Sequence, residues 1–203
     1  LDEFCKKAVE PVLEKALNDL AAKTFCPKNR MVMKREAIAD RGIWTAKKHY
    51  ILNVLNNEGV QYAEPKIKIM GIEAVKSSTP EVCRDKMHEM FRLIMSGTES
   101  EVQDAIAKFR QDFYTLDPDA IAFPRGVTDI GKWNDGGKPK SGTPIHVRGC
   151  LFYNRMIQQL GLSKKYQSIG DGDKIKFLYL KTPNSYNEHV ISFMDVMPSE
   201  LKE

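Results

Sequence analysis

Two stretches of alternating polarity, residues 47–55 and 60–70, constrain this 203-residue chain more than any other feature, because only Asn56-Asn57-Glu58-Gly59 separates them. Period-two alternation puts successive side chains on opposite faces of a strand, and Asn and Gly tolerate the left-handed backbone of a tight reversal. The pair therefore reads as an antiparallel hairpin. Upstream, Phe4, Val9, Val12, Ala16, Leu17 and Leu20 recur at helical spacing and predict one long amphipathic helix to about Lys23, kinked or restarted at Pro11. Residues 30–39 read as a further strand, with Gly42 closing a turn.

Downstream the period changes. Val82, Met87, Met90, Phe91 and Ile94 predict a helix over 80–96, and Val102, Ile106, Phe109 and Phe113 predict another over 99–113, broken apart by Gly97-Thr98. A glycine- and proline-rich stretch precedes a third helix from about Arg148 to Leu160. Gly170-Asp171-Gly172-Asp173 then opens a hairpin with strands near 174–180 and 189–194. The expected architecture is α+β. A helix packed on a small antiparallel sheet occupies residues 1–71, and a mainly helical region with a small β-hairpin occupies 72–203.

The formal net charge of +4 is too small to name a polyanionic partner, but its distribution is uneven. Residues 132–166 hold seven Lys or Arg (Lys132, Lys138, Lys140, Arg148, Arg155, Lys164, Lys165) against the single acid Asp135. Cys5, Cys26, Cys83 and Cys150 are far apart without a C-x-x-C pair, which favours neither a disulfide framework nor zinc. Buried thiols of a cytoplasmic protein fit this usage best, and no apolar run approaches a membrane span. The chain opens at Leu1 within the first helix, which predicts further residues upstream.

Several motifs admit two readings. In Lys47-Lys48-His49-Tyr50, strand alternation would place Lys48 and Tyr50 on one face and Lys47 and His49 on the other. Such a pair suits a minor groove; equally, lysines guard sheet edges against aggregation. Lys76-Ser77-Ser78-Thr79-Pro80 makes a good helix start, whose free N–H groups also attract phosphate. Arg148 and Arg155, seven apart, share a helix face and either grip phosphates or face solvent. Glu36 and Asp40 are isolated carboxylates, and metal-assisted phosphoryl transfer needs a converging set. Asp171-Gly172-Asp173 reads as a turn. No Ser/His/Asp or Cys/His pairing can be assigned.

Taken in order, Arg35-Glu36-Ala37-Ile38-Ala39, Lys47-Lys48-His49-Tyr50, Tyr62-Ala63-Glu64-Pro65-Lys66-Ile67-Lys68-Ile69-Met70-Gly71, Lys76-Ser77-Ser78-Thr79-Pro80, His146-Val147-Arg148-Gly149 and Tyr153-Asn154-Arg155 resemble the replicative family B DNA polymerases of T-even-like bacteriophages. The resemblance implies that 1–71 is the C-terminal part of a palm domain and 72–203 most of a thumb. It implies primer-template contacts from Lys47, Lys48 and Tyr50, with His49 where Arg is usual. Lys76, Ser77 and Ser78 would follow the duplex backbone, joined by Lys132, Arg148 and Arg155. Glu36 matches a palm acid near the metal site, while Lys34 stands where Asp is usual. The metal-binding Asp-Thr-Asp motif has no match here, so Mg2+ is expected in the complete enzyme and not on this chain. A fragment inactive alone is therefore expected, working with an N-terminal polymerase portion in the cytoplasm of an infected host. The complete enzyme's sliding clamp would bind through a tail with no counterpart after Leu201.

Overall fold

A computed structural model describes residues 1–202, which divide into two compact units: Leu1–Ile72 with Phe91–Gly97, and Glu73–Met90 with Thr98 onward. Mixed helices and small antiparallel sheets make the chain α+β, as its periodicities indicate. Among the described residues no helix is long and apolar enough to cross a membrane.

In the first unit a short helical start (Asp2–Phe4) passes through a π-helical turn (Cys5–Val9) into α1 (Glu10–Lys23). Pro11 follows that π-helical turn, and the backbone stays right-handed helical at Val9 and Glu10, so the helix runs on across Pro11 rather than starting anew. Three strands follow in the order β1 (Ala37–Ala46), β2 (His49–Asn57) and β3 (Val60–Met70), all antiparallel. Glu58 and Gly59 turn the β2–β3 hairpin with φ of 50° and 92°, the two positive values that a type I′ reversal demands. The buried Asn56 steadies that turn, its side-chain oxygen accepting from the Gly59 N–H at 3.1 Å. Pro65 lies where the β2–β3 ladder shifts register, so its lack of a donor breaks no regular pairing.

Two expectations fail at β1. The strand starts at Ala37, not Arg30, and it runs straight through Gly42. Gly42 packs rather than turns: a Cβ there would meet the Trp44 ring at 2.6 Å and the Leu52 side chain at 2.8 Å. The ring occupies the space that a side chain would have filled. Ile43, Ile51 and Ile69 are cross-strand neighbours on one face, of which Ile51 and Ile69 are buried, whereas α1 buries Ala21 alone.

Helix α2 (Glu81–Ser96), counted with the second unit as far as Met90 and with the first from Phe91, and α3 (Glu99–Phe113) of the second unit form as read, with Thr98 and Glu101 completing a capping box at the break. The third helix, α4 (Ile145–Gln159), begins after Pro144, three residues earlier than expected. Its partner is larger than a hairpin. Phe123–Gly126 (β4) joins Lys174–Tyr179 (β5) and Val190–Phe193 (β6) in a three-stranded antiparallel sheet ordered β4-β5-β6. Only four residues long and holding Pro124, β4 lacks the alternation that betrays a strand, and pairing with β5 defines it. Cys150, Phe152, Met156 and Ile157 of α4 pack on Ile175, Phe177, Ile191 and Phe193, and this cluster is the core of the unit.

Candidate nucleic-acid interface

The β1–β2 reversal carries the lysines that the sequence singled out. Ala46 pairs with His49, so Lys47 and Lys48 are the exposed two-residue tip rather than part of a strand. The alternation that would have set Lys48 beside Tyr50 on one face therefore does not apply. Lys48 has φ of 64°, a left-handed conformation costing a side-chain-bearing residue roughly 1 kcal/mol. Replacing Lys48 with Gly is expected to raise the stability of this unit by about 0.5–1 kcal/mol in urea denaturation. An unchanged or lower midpoint would contradict a strained tip.

Tyr50 faces Trp44 on β1 and Met70 on β3, so these three form a row across the sheet, with Trp44 69% exposed. The adjoining row on the same face is Gly42, Leu52 and Lys68. The Lys68 ammonium donates to the Glu36 carboxylate, and that bond, opposed by burial, holds the lysine above its usual pKa. A lysine-tipped turn beside exposed aromatic surface offers charge for phosphates and flat apolar area for sugars or bases. Glu36 is paired to Lys68 and shares its surroundings with Glu58 among cationic Lys6, Lys34 and Arg35, and no described group of three His, Cys, Asp or Glu could hold a metal ion. The residues present do not fit a magnesium site.

In the second unit Lys76 lies in the turn ahead of α2 and donates to Glu73 at 2.6 Å. Ser77 and Ser78 lie beside it, Ser77 exposed and Ser78 half-buried. Lys132 sits 5.0 Å over the Trp133 ring, and its carbonyl accepts from Lys140 Nζ at 2.9 Å. Trp133 leads into a small ladder, Asn134–Asp135 with Lys138–Pro139, turned by Gly136 and Gly137 at positive φ. Lys132, Lys138 and Lys140 are thus presented together as exposed charges on a short loop.

Arg148 and Arg155 do share a face of α4, yet both point at the buried Glu188. Arg148 Nε lies 3.4 Å and Arg155 Nη2 2.7 Å from its carboxylate. Glu188 carries no sequence signal, because Tyr186-Asn187-Glu188-His189 has no periodic pattern. Trp44 and Lys68 join these candidate contacts through the sheet rather than through a motif. The alternation Lys66-Ile67-Lys68 signals the second, whereas placing Trp44 opposite Tyr50 requires the hairpin register.

No family model matches the chain. Over its whole length it is 34% identical to the DNA-directed DNA polymerase of Enterobacteria phage T4, and over 95% of its length it is 33% identical to that of Escherichia phage RB69. The chain spans 23% and 22% of those two relatives, so the similarity is to a segment of each. The resemblance carried by the short motifs thus extends to the whole chain.

Proposed function

We propose that this chain is the palm-end and thumb portion of a family B phage DNA polymerase, and that it holds primer-template DNA for nucleotidyl transfer performed elsewhere in the enzyme. The observation that carries the reading is end-to-end similarity to a segment of two DNA-directed DNA polymerases. The exposed tip Lys47-Lys48 with Tyr50 behind it supports primer-template contact from the first unit. Lys76, Ser77, Ser78 and Lys132 support contact with the duplex backbone from the second. In this reading magnesium and its carboxylates belong to the remainder of the polymerase.

The test is affinity for a primer-template junction, a blunt duplex and a single strand across a salt series. Duplex-containing ligands are expected to win, with log affinity falling against log salt by about 0.9 per phosphate neutralised. Lys48→Ala should weaken binding to every sequence and reduce that slope by about 1. Preference for single strands would instead favour an autonomous nucleic-acid-binding module. Robust DNA synthesis by the chain alone would overturn the proposal outright.

A further inference from the structure

The chain's two tryptophans are housed differently. Trp133 is half-buried, with the Lys132 ammonium 5.0 Å over its ring. Trp44 is 69% exposed, and among the described residues no cation or second ring sits against it. Its orientation follows from Gly42, two residues back on the same face of β1. A Cβ there would lie 2.6 Å from Trp44 Cη2 and 2.8 Å from Cζ3, the far edge of the six-membered ring. Same-face neighbours along a strand are about 7 Å apart, so the ring lies back along the strand instead of standing off the sheet. The Leu52 side chain approaches the same point at 2.8 Å and backs the far end of the ring. An indole braced in this way presents an open π surface whose placement is settled before anything binds.

We propose that Trp44 is a stacking site for an unpaired nucleobase at the end of the duplex, and that Lys47 and Lys48 take the phosphates flanking that base. The inference deepens the primer-template reading and rests on it. Stacking on an indole requires the flat face of another ring. Inside a duplex the base faces are closed by their neighbours, and they open only at a terminus or where a nucleotide is unpaired. Such stacking accepts every base, so the site reads pairing state and not sequence. Charge is supplied from one side: Lys68 on the same face is engaged by Glu36, whereas Lys47 and Lys48 form the exposed tip just beyond Trp44 and Tyr50. The primer 3′ nucleotide and the first template nucleotide beyond the duplex both offer this chemistry.

The probe is 2-aminopurine, whose emission falls when it stacks on an aromatic ring. It is placed unpaired at the primer 3′ end of one junction, in the template overhang beside the duplex of a second, and fully paired inside a blunt duplex as control. Adding the chain is expected to lower emission about twofold or more in one of the unpaired arms, which identifies the source of the base, and to leave the blunt duplex unchanged. Trp44→Leu should abolish the quenching and weaken that junction about tenfold, the size of one lost stack, with blunt-duplex affinity and salt slope retained. Trp44→Phe should restore most of the affinity. Gly42→Ala keeps the indole but occupies the space it lies in, so quenching should fall there too. Absence of quenching in both unpaired arms, quenching that survives Trp44→Leu, or equal weakening of the blunt duplex would each overturn the proposal. Duplex binding with an unquenched base sinks this inference alone. Preference for single strands with Trp44-dependent quenching sinks the duplex-holding reading and leaves the stacking site standing.

Discussion

Gly149→Ala is expected to destabilise the second unit by about 2–3 kcal/mol, lowering its melting temperature by roughly 5–10 °C. The reason is a close approach between α4 and β6. A Cβ at position 149 would lie 2.4 Å from Ser192 Oγ, 2.8 Å from Ser192 N and 3.0 Å from the carbonyl carbon of Ile191. Two of those atoms are backbone and cannot swing aside. Ser192 is wholly buried, and its hydroxyl donates to the His146 carbonyl at 2.7 Å, so it has a reason to stay where it is. Relief requires moving the helix off a strand flanked by the buried Val190 and Phe193. Alanine gains about 1 kcal/mol over glycine in helix propensity, which offsets part of the overpacking cost and not all of it. Calorimetry on the variant decides the matter. Adding Ser192→Ala should recover little, since the two backbone contacts persist. A variant as stable as the parent would mean that α4 does not sit against β6 as described.

That glycine also marks what the sequence could not disclose. Helices α2, α3 and α4 were legible because their apolar residues repeat every three to four positions over fifteen residues or more, and the β2–β3 hairpin because Glu58-Gly59 supports the only backbone that closes it. Gly42 and Gly149 look alike in sequence to a turn glycine, but both are needed for close packing against a partner, Trp44 in one case and β6 in the other. Which of these roles a glycine has depends on the neighbour it meets in space. The β1–β2 turn was displaced for a related reason: Lys47-Lys48 contains neither Gly nor Asn, so the strand pairing, not local preference, forces Lys48 to positive φ. Among candidate contacts, exposed lysines were legible as charge. The engagement of Arg148 and Arg155 was not, because Glu188 lies more than thirty residues away along the chain.

Glu188→Gln is the substitution that separates structural from DNA-binding use of those arginines. The carboxylate is 8% exposed and serves two guanidiniums, while the Asn184 side chain holds the Glu188 backbone on both sides, bonding its carbonyl at 2.6 Å and its N–H at 3.3 Å. Removing its charge is expected to cost about 2–3 kcal/mol. Breaking a fully buried pair costs about 3–5 kcal/mol, and the discount reflects arginines that can still turn toward water. The two differ in that capacity. Arg155 is the closer at 2.7 Å, is 29% exposed, and has its guanidinium 5.4 Å over the Phe152 ring, so its position is fixed by both charge and stacking. Arg148 is longer at 3.4 Å and 39% exposed. Arg155→Gln should therefore lower the unfolding free energy and leave the salt slope of DNA binding unchanged. Arg148→Gln should do the reverse, reducing the slope by about 1 with a stability change under about 1 kcal/mol. Urea denaturation and a salt series on the same preparations read both quantities. Equal loss of salt slope in the two variants would show that duplex DNA draws both arginines off Glu188, and the carboxylate would then be a latch that DNA releases rather than a fixed strut.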